Sequence, residues 1–206
     1  MRRAVVLGWG LLLGVLVTGC TSGQSVVTAP QSGSVTSPVP GTPSVSVGRT
    51  TPSASGPSSP SSPSVPAVAS VGDTLALSGL KPEERVDVTV VKVVDPATAK
   101  ESFSSPKAGS RLVAVQFRLR NTGTAVYEDS PSNGARLIDS EGQQFTASAA
   151  TDTTAGPGFP GSVTVTPGDT ALGYLTFVIP TASRVAKIQF TLDSGFASST
   201  GQWTVA

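Results

Sequence analysis

The stretch "SRLVAVQFRLRN", Ser110 to Asn121, constrains the fold more than any other part of this chain. Val113, Val115, Phe117 and Leu119 alternate with Gln116, Arg118 and Arg120, so a backbone with period two puts apolar groups on one face and polar groups on the other. The same alternation recurs from about Val71 onward, and no segment carries a helical period of useful length. "RVDVTVVKVVD" sets Val86, Val88 and Val90 on one face and then slips phase to Val91 and Val93, as a β-bulge would allow. "LGYLTFVIP" directs Leu175, Phe177 and Ile179 inward and stops at Pro180. "VAKIQFTLD" does the same with Ile188, Phe190 and Leu192, and "GQWTVA" offers Trp203 and Val205.

Turn chemistry separates these runs. "DSEG" predicts a hairpin turn with Gly142 at positive φ, and "TPGD" predicts a turn in which Pro167 presets φ and Gly168 takes the left-handed corner. About eight short strands joined in this way define an all-β antiparallel β-sandwich, spanning 71–206. The region "ASAATDTTAGPGFPGS" interrupts the pattern as a long insertion between strands. Phe159 within it, and Phe103 in "KESFSSPKAG", are each open to two readings: a contact presented to a partner, or a ring folded back to cap the sandwich.

Residues 20–70 differ sharply in composition. Ser, Pro, Thr and Gly dominate, Arg49 is the only charge, and aromatic residues are absent. Such a segment cannot offset its conformational entropy by burial and is expected to be a disordered tether. Its reach lies between roughly 40 Å as a flexible coil and about 150 Å when extended.

Before it, "MRRAVVLGWGLLLGVLVTGC" has a cationic start, an apolar run of about 14 residues, and small residues ahead of the chain's single cysteine. The run is shorter than the roughly 20 residues a spanning helix needs. The arrangement predicts a signal peptide over 1–19. "VTGC" resembles the lipobox of bacterial lipoproteins. That resemblance implies recognition through Val17, Thr18 and Gly19, cleavage before Cys20, and a diacylglycerol thioether on the Cys20 sulfur. Two acyl chains are enough for stable anchoring. The location so implied is the outer face of the cytoplasmic membrane, with the tether carrying the head into the cell wall.

Composition narrows the chemistry further. The chain has no histidine, and its one cysteine is assigned to the anchor, so the usual zinc, copper and iron ligands are missing. No metal site, no cofactor and no histidine-based triad are expected. The lysines sit in ordinary strand or loop contexts, against a serine–lysine dyad. Carboxylates occur as Glu83–Glu84, Glu128–Asp129, and Asp139 with Glu141. A glycosidase needs two of them facing a cleft, whereas adjacent acids on a strand point to opposite faces. Asp139 and Glu141 could serve calcium, or simply flank a solvated turn. A net charge of +1 gives no reason to expect nucleic acid.

The succession "VGDTLAL", "VDVTVVKVVD", "SRLVAVQFRLRNTGTAVY", "ARLIDSEGQQF" and "TPGDTALGYLTFVIP" resembles the immunoglobulin-like family of unknown function 4352. Its most specific parts are the strand and turn through Asn121 to Gly123, the "LIDSEG" hairpin and the "PGDT" return strand. The resemblance implies an immunoglobulin-like sandwich on a Gram-positive, actinobacterial lipoprotein and brings no catalytic residues. The function expected is a non-catalytic interaction module for an envelope protein or a cell-wall component. The alternatives are a carrier holding a small ligand between the sheets and a carboxylate-dependent hydrolase.

Overall fold

The computed structural model describes residues 25–30, 68–148 and 152–206. The predicted signal peptide, Val17, Thr18, Gly19 and Cys20 lie outside these residues. Eleven strands occur among the described residues: β1 Ser25–Val27, β2 Thr74–Ser78, β3 Arg85–Ala97, β4 Ser110–Asn121, β5 Tyr127–Asp129, β6 Ala135–Asp139, β7 Gln144–Ser148, β8 Val163–Val165, β9 Thr170–Pro180, β10 Val185–Thr191 and β11 Ser199–Thr204. A single helical turn, α1 Pro131–Gly134, follows β5.

Nine strands form one hydrogen-bonded series, β1-β11-β10-β6-β7-β9-β4-β3-β2, and β5 pairs with β8. The series folds over at β7, which pairs with β6 on one layer and β9 on the other. Phe117 on β4 meets Phe190 on β10 across the interior, with ring centroids 5.1 Å apart. The outer strands β11 and β2 approach each other through side chains: Trp203 Nε1 donates to the Asp73 carbonyl at 2.9 Å, and the Ser78 N–H donates to Ser199 Oγ at 3.4 Å. The fold is an antiparallel β-sandwich of immunoglobulin-like form.

The alternation read from the sequence places the core correctly. Val113, Val115, Phe117 and Leu119 are fully buried, as are Ile188, Phe190, Leu192 and Trp203. Each large apolar side chain so buried contributes roughly 1.5–3 kcal/mol, which a domain without disulfides needs from its interior. The phase slip in β3 is a register shift between Val90 and Lys92. Both predicted turn glycines have positive φ, 87° at Gly142 and 89° at Gly168.

Two features depart from the sequence reading. Ser25–Val27, inside the expected disordered tether, form β1 and pair in parallel with β11 (Ser25 with Ser199, Val26 with Thr200, Val27 with Gly201). The ordered sandwich also starts before Val71: Ala69 is buried, and Ser70 bridges to Thr204. Both pieces attach mainly by backbone pairing along an open edge, which composition does not report.

Candidate functional site

Phe103 and Phe159, paired in the sequence reading, part company in the structure. Phe103 sits on the short 3-10 turn Ser102–Ser104 between β3 and β4 and is 86% exposed. Phe159 is half-buried and packs against the core. Its ring fills the space over Gly173, where an added Cβ would come within 2.8 Å of Phe159 Cγ. The backbone is fixed there as well: Phe159 N–H donates to the Tyr174 carbonyl at 3.1 Å, and Tyr174 N–H donates to the Pro157 carbonyl at 3.0 Å. The insertion thus continues the pairing on the β9 edge that β7 begins. Phe159 packs partly buried on the core, whereas Phe103 is left exposed.

Asp139 and Glu141 occupy the β6–β7 hairpin. Asp139 Oδ1 accepts from the N–H groups of Glu141 at 3.0 Å and Gln143 at 2.8 Å. Burial acts to raise the Asp139 carboxyl. Hydrogen bonds from Gln143, Ser183, Glu141 and Gly142 outweigh it and hold the group below its ordinary value. The side chain organises the turn. Among the described residues no three acidic side chains gather in a way that suits a metal ion.

The family-like motif residues converge on one turn cluster. Asn121 is 1% exposed, and its Nδ2 donates to the carbonyls of Ala125 and Val165, both at 2.8 Å. Its Oδ1 accepts the Gly123 N–H at 2.9 Å. The Asn121 backbone joins the second motif, donating to the Asp169 carbonyl and accepting from the Gly168 N–H. Gly123 passes so close to the Glu83 carbonyl that a Cβ there would lie 2.1 Å from the oxygen. "NTG" and "PGDT" are therefore halves of one hydrogen-bonded corner, in which the Asn121 side chain serves the backbone.

A second corner had no signal in the sequence. Asp193 and Ser194 both adopt positive φ, 53° and 57°, and Gly195 follows at 92°. Non-glycine residues in this region carry about 1–3 kcal/mol of strain each. Asp129 holds the turn: its Oδ1 accepts the Ser194 N–H at 2.7 Å and the Ser194 hydroxyl at 2.9 Å, while Oδ2 accepts the buried Tyr127 hydroxyl at 2.5 Å. Burial, then the Asp129 charge and hydrogen bond, push the Tyr127 phenol far above its ordinary range. Burial likewise raises the Asp193 carboxyl; its hydrogen bond from Leu80 N–H opposes this, and the charges of Glu84 and Asp129 add to it. Glu84 is buried, which alone would raise it. The ammonium and N–H of Lys81 bring it below its ordinary value instead. Glu84, Asp129 and Asp193 are thus each tied to neighbouring backbone or side-chain donors.

The spacing S-x-x-K, a serine–lysine signature when carried on a helix, occurs twice, at Ser78–Lys81 and Ser104–Lys107. Both fall in turns. The Lys81 ammonium is raised by its hydrogen bond and charge pairing with Glu84, the direction opposite to that of a lysine base. An open cleft of about 700 Å³ lies between Lys100 and the insertion, with Asp152 and Thr153 on its wall. Thr153 Oγ1 is buried there without a hydrogen-bond partner.

The filled interior and the Asn121 corner define an immunoglobulin-like β-sandwich. The chain belongs to the family described as Domain of unknown function (DUF4352), whose model matches residues 82–201, more than half of its length. No curated protein matches it. Among solved structures it is similar to ycdA of Bacillus subtilis, assigned there as a lipoprotein, at 16% identity and a TM-score of 0.43; the match covers 62% of this chain and 37% of that one. It is also similar to MPT63, a secreted protein of Mycobacterium tuberculosis, at 13% identity and a TM-score of 0.45, covering 66% and 95% of the two chains. A β-sandwich protein of Clostridium difficile matches at 12% identity and a TM-score of 0.36, over 65% and 90%. The chain spans little more than a third of the length of ycdA.

Proposed function

We propose that this protein is an extracytoplasmic lipoprotein, anchored by a diacylglycerol thioether on Cys20, that presents its sandwich as a non-catalytic binding module to an envelope protein or a cell-wall component. The observation that carries the reading is the amino-terminal run ending in "LVTGC" on the only cysteine of the chain. A thiolate is the nucleophile that forms a stable thioether near neutral pH. On the head, the buried Asn121 amide of the family motif is spent on a turn, and Phe103 stands out as an exposed group able to meet a partner. A ligand held between the sheets would compete with Trp203, Phe117, Phe177 and Phe190, all fully buried.

The test has two parts. In the native host, Cys20→Ser should move the protein from the membrane pellet to a soluble or unprocessed form; unchanged retention refutes the anchor. A photo-crosslinking residue at Ser102, exposed beside Phe103, should capture a partner in envelope membranes, and adding Phe103→Ala should lower capture at an unchanged melting temperature. Equal capture by the alanine variant refutes the assignment of Phe103.

A further inference from the structure

The segments on either side of the Ser/Pro-rich run lie end to end on the same edge of β11. Ser25–Val27 pair with Ser199–Gly201 in parallel, and Ser70 bridges in parallel to Thr204. Where they meet, Ala69 N–H donates to the Thr28 carbonyl at 2.6 Å, and Thr204 N–H donates to the Ala69 carbonyl at 2.8 Å. The chain therefore leaves the sandwich after Thr28 and rejoins it at Ala69, at the same point. Whatever path residues 31–67 follow, they do not separate Cys20 from the head, because the chain touches the head at Ser25 first.

Covalent geometry then fixes a short leash. From Cys20 to Ser25 an extended chain reaches at most about 18 Å, against up to about 150 Å for an intervening spacer. The end of the sandwich at the start of β1 also carries two of the exposed large apolar side chains, Leu80 and Phe196. Ser25 N–H donates to the Ser198 carbonyl at 2.7 Å, two residues from Phe196, which is 77% exposed. Phe196 N–H donates to the Asp193 carbonyl, and Asp193 Oδ2 accepts the N–H of Leu80, itself 63% exposed. Around them Lys81, Glu83 and Glu128 form a collar of both signs, which gives no electrostatic reason for the contact. The apolar tips and the tethering point carry it.

We infer that this end of the sandwich, through Leu80 and Phe196, rests on the lipid surface, with β1 setting the distance. The inference rests on the anchor at Cys20. The occupant is the membrane interface, because the chain attached there continues within five residues to the lipidated cysteine.

The test uses full-length lipidated protein in vesicles of equal phosphatidylcholine and phosphatidylglycerol. A lipidated Cys20 has no free thiol, so Leu80→Cys, Phe196→Cys and Glu141→Cys can each carry one nitroxide. Glu141 lies on the hairpin at the opposite end, about 20 Å away along β10. Labels at 80 and 196 should be several-fold less accessible to a water-soluble nickel chelate than the label at 141. Val26→Pro combined with Val27→Pro should abolish that difference while vesicle retention and the Trp203 emission maximum stay unchanged. Equal accessibility at all three sites on lipidated protein overturns the inference, as does protection that survives the double proline change. A nitroxide that attaches to Cys20 itself identifies the separate failure of the anchor.

Discussion

Replacing Asn121 with alanine tests whether the family motif is scaffold or site. The side chain is buried and makes three hydrogen bonds, two to carbonyls and one from an N–H. At about 1 kcal/mol net for each, with buried partners left unpaired, Asn121→Ala should cost about 3 kcal/mol. For a domain of this size that lowers the melting temperature by roughly 10–12 °C. Asn121→Asp should be at least as damaging at neutral pH, since it sets a second oxygen against the Ala125 and Val165 carbonyls. Urea denaturation followed by the fluorescence of Trp203 gives the free-energy loss, and a thermal melt gives the shift in melting temperature. A loss below about 1 kcal/mol would mean that these hydrogen bonds do not hold the corner, and the motif would again be a candidate site.

Phe159→Ala should cost about 1–2 kcal/mol, the share of a half-buried phenylalanine, and should speed hydrogen exchange at the Tyr174 amide; no change in either would return Phe159 to the surface. Gly173→Ala should have the same effect with Phe159 intact, because the new Cβ meets the ring and the Phe159 nitrogen. Asp193→Asn should stabilise the protein at pH 7 and give no gain at pH 3. The raised Asp193 carboxyl disfavours the folded state as pH climbs from 3.8 through its shifted value, whereas the amide keeps the Leu80 hydrogen bond without ionising. Asp139→Asn should flatten the acid limb, since a lowered carboxyl contributes stability above 3.8 that is lost as pH falls through its folded value; denaturation midpoints between pH 2 and 5 decide it.

What the sequence made legible follows from what periodicity measures. The second half of β4 buries Phe117, Leu119 and Asn121 and exposes Arg118 and Arg120, so its residues had to alternate, whereas β9 is buried on both faces from Gly173 to Phe177; the bulge in β3 appeared as a break in alternation. Strands β1, β5 and β8 have three residues each, too few for a period. In β1 the composition also pointed the wrong way: "SVV" in a Ser/Pro/Thr-rich run carries little apolar surface and pairs through its backbone. The "DSEG" turn was readable because Asp139 stands three residues before Gly142, a type I turn spacing; that Asp139 would be buried and accept from the Glu141 and Gln143 N–H groups was not. The Asp193–Ser194 corner was not, because its positive φ falls on residues other than glycine and the support comes from Asp129 on β5, far away in the chain. Asn121 announced a turn, but not that its amide would reach the Val165 carbonyl at the end of β8, 44 residues on.

The most direct test of the account is the mass of the amino-terminal peptide of protein taken from the native host's membranes. The account predicts a chain that begins at Cys20 and carries a diacylglycerol thioether on that sulfur. A free Cys20 thiol, or a leader still attached to protein in the cytosol, would contradict it.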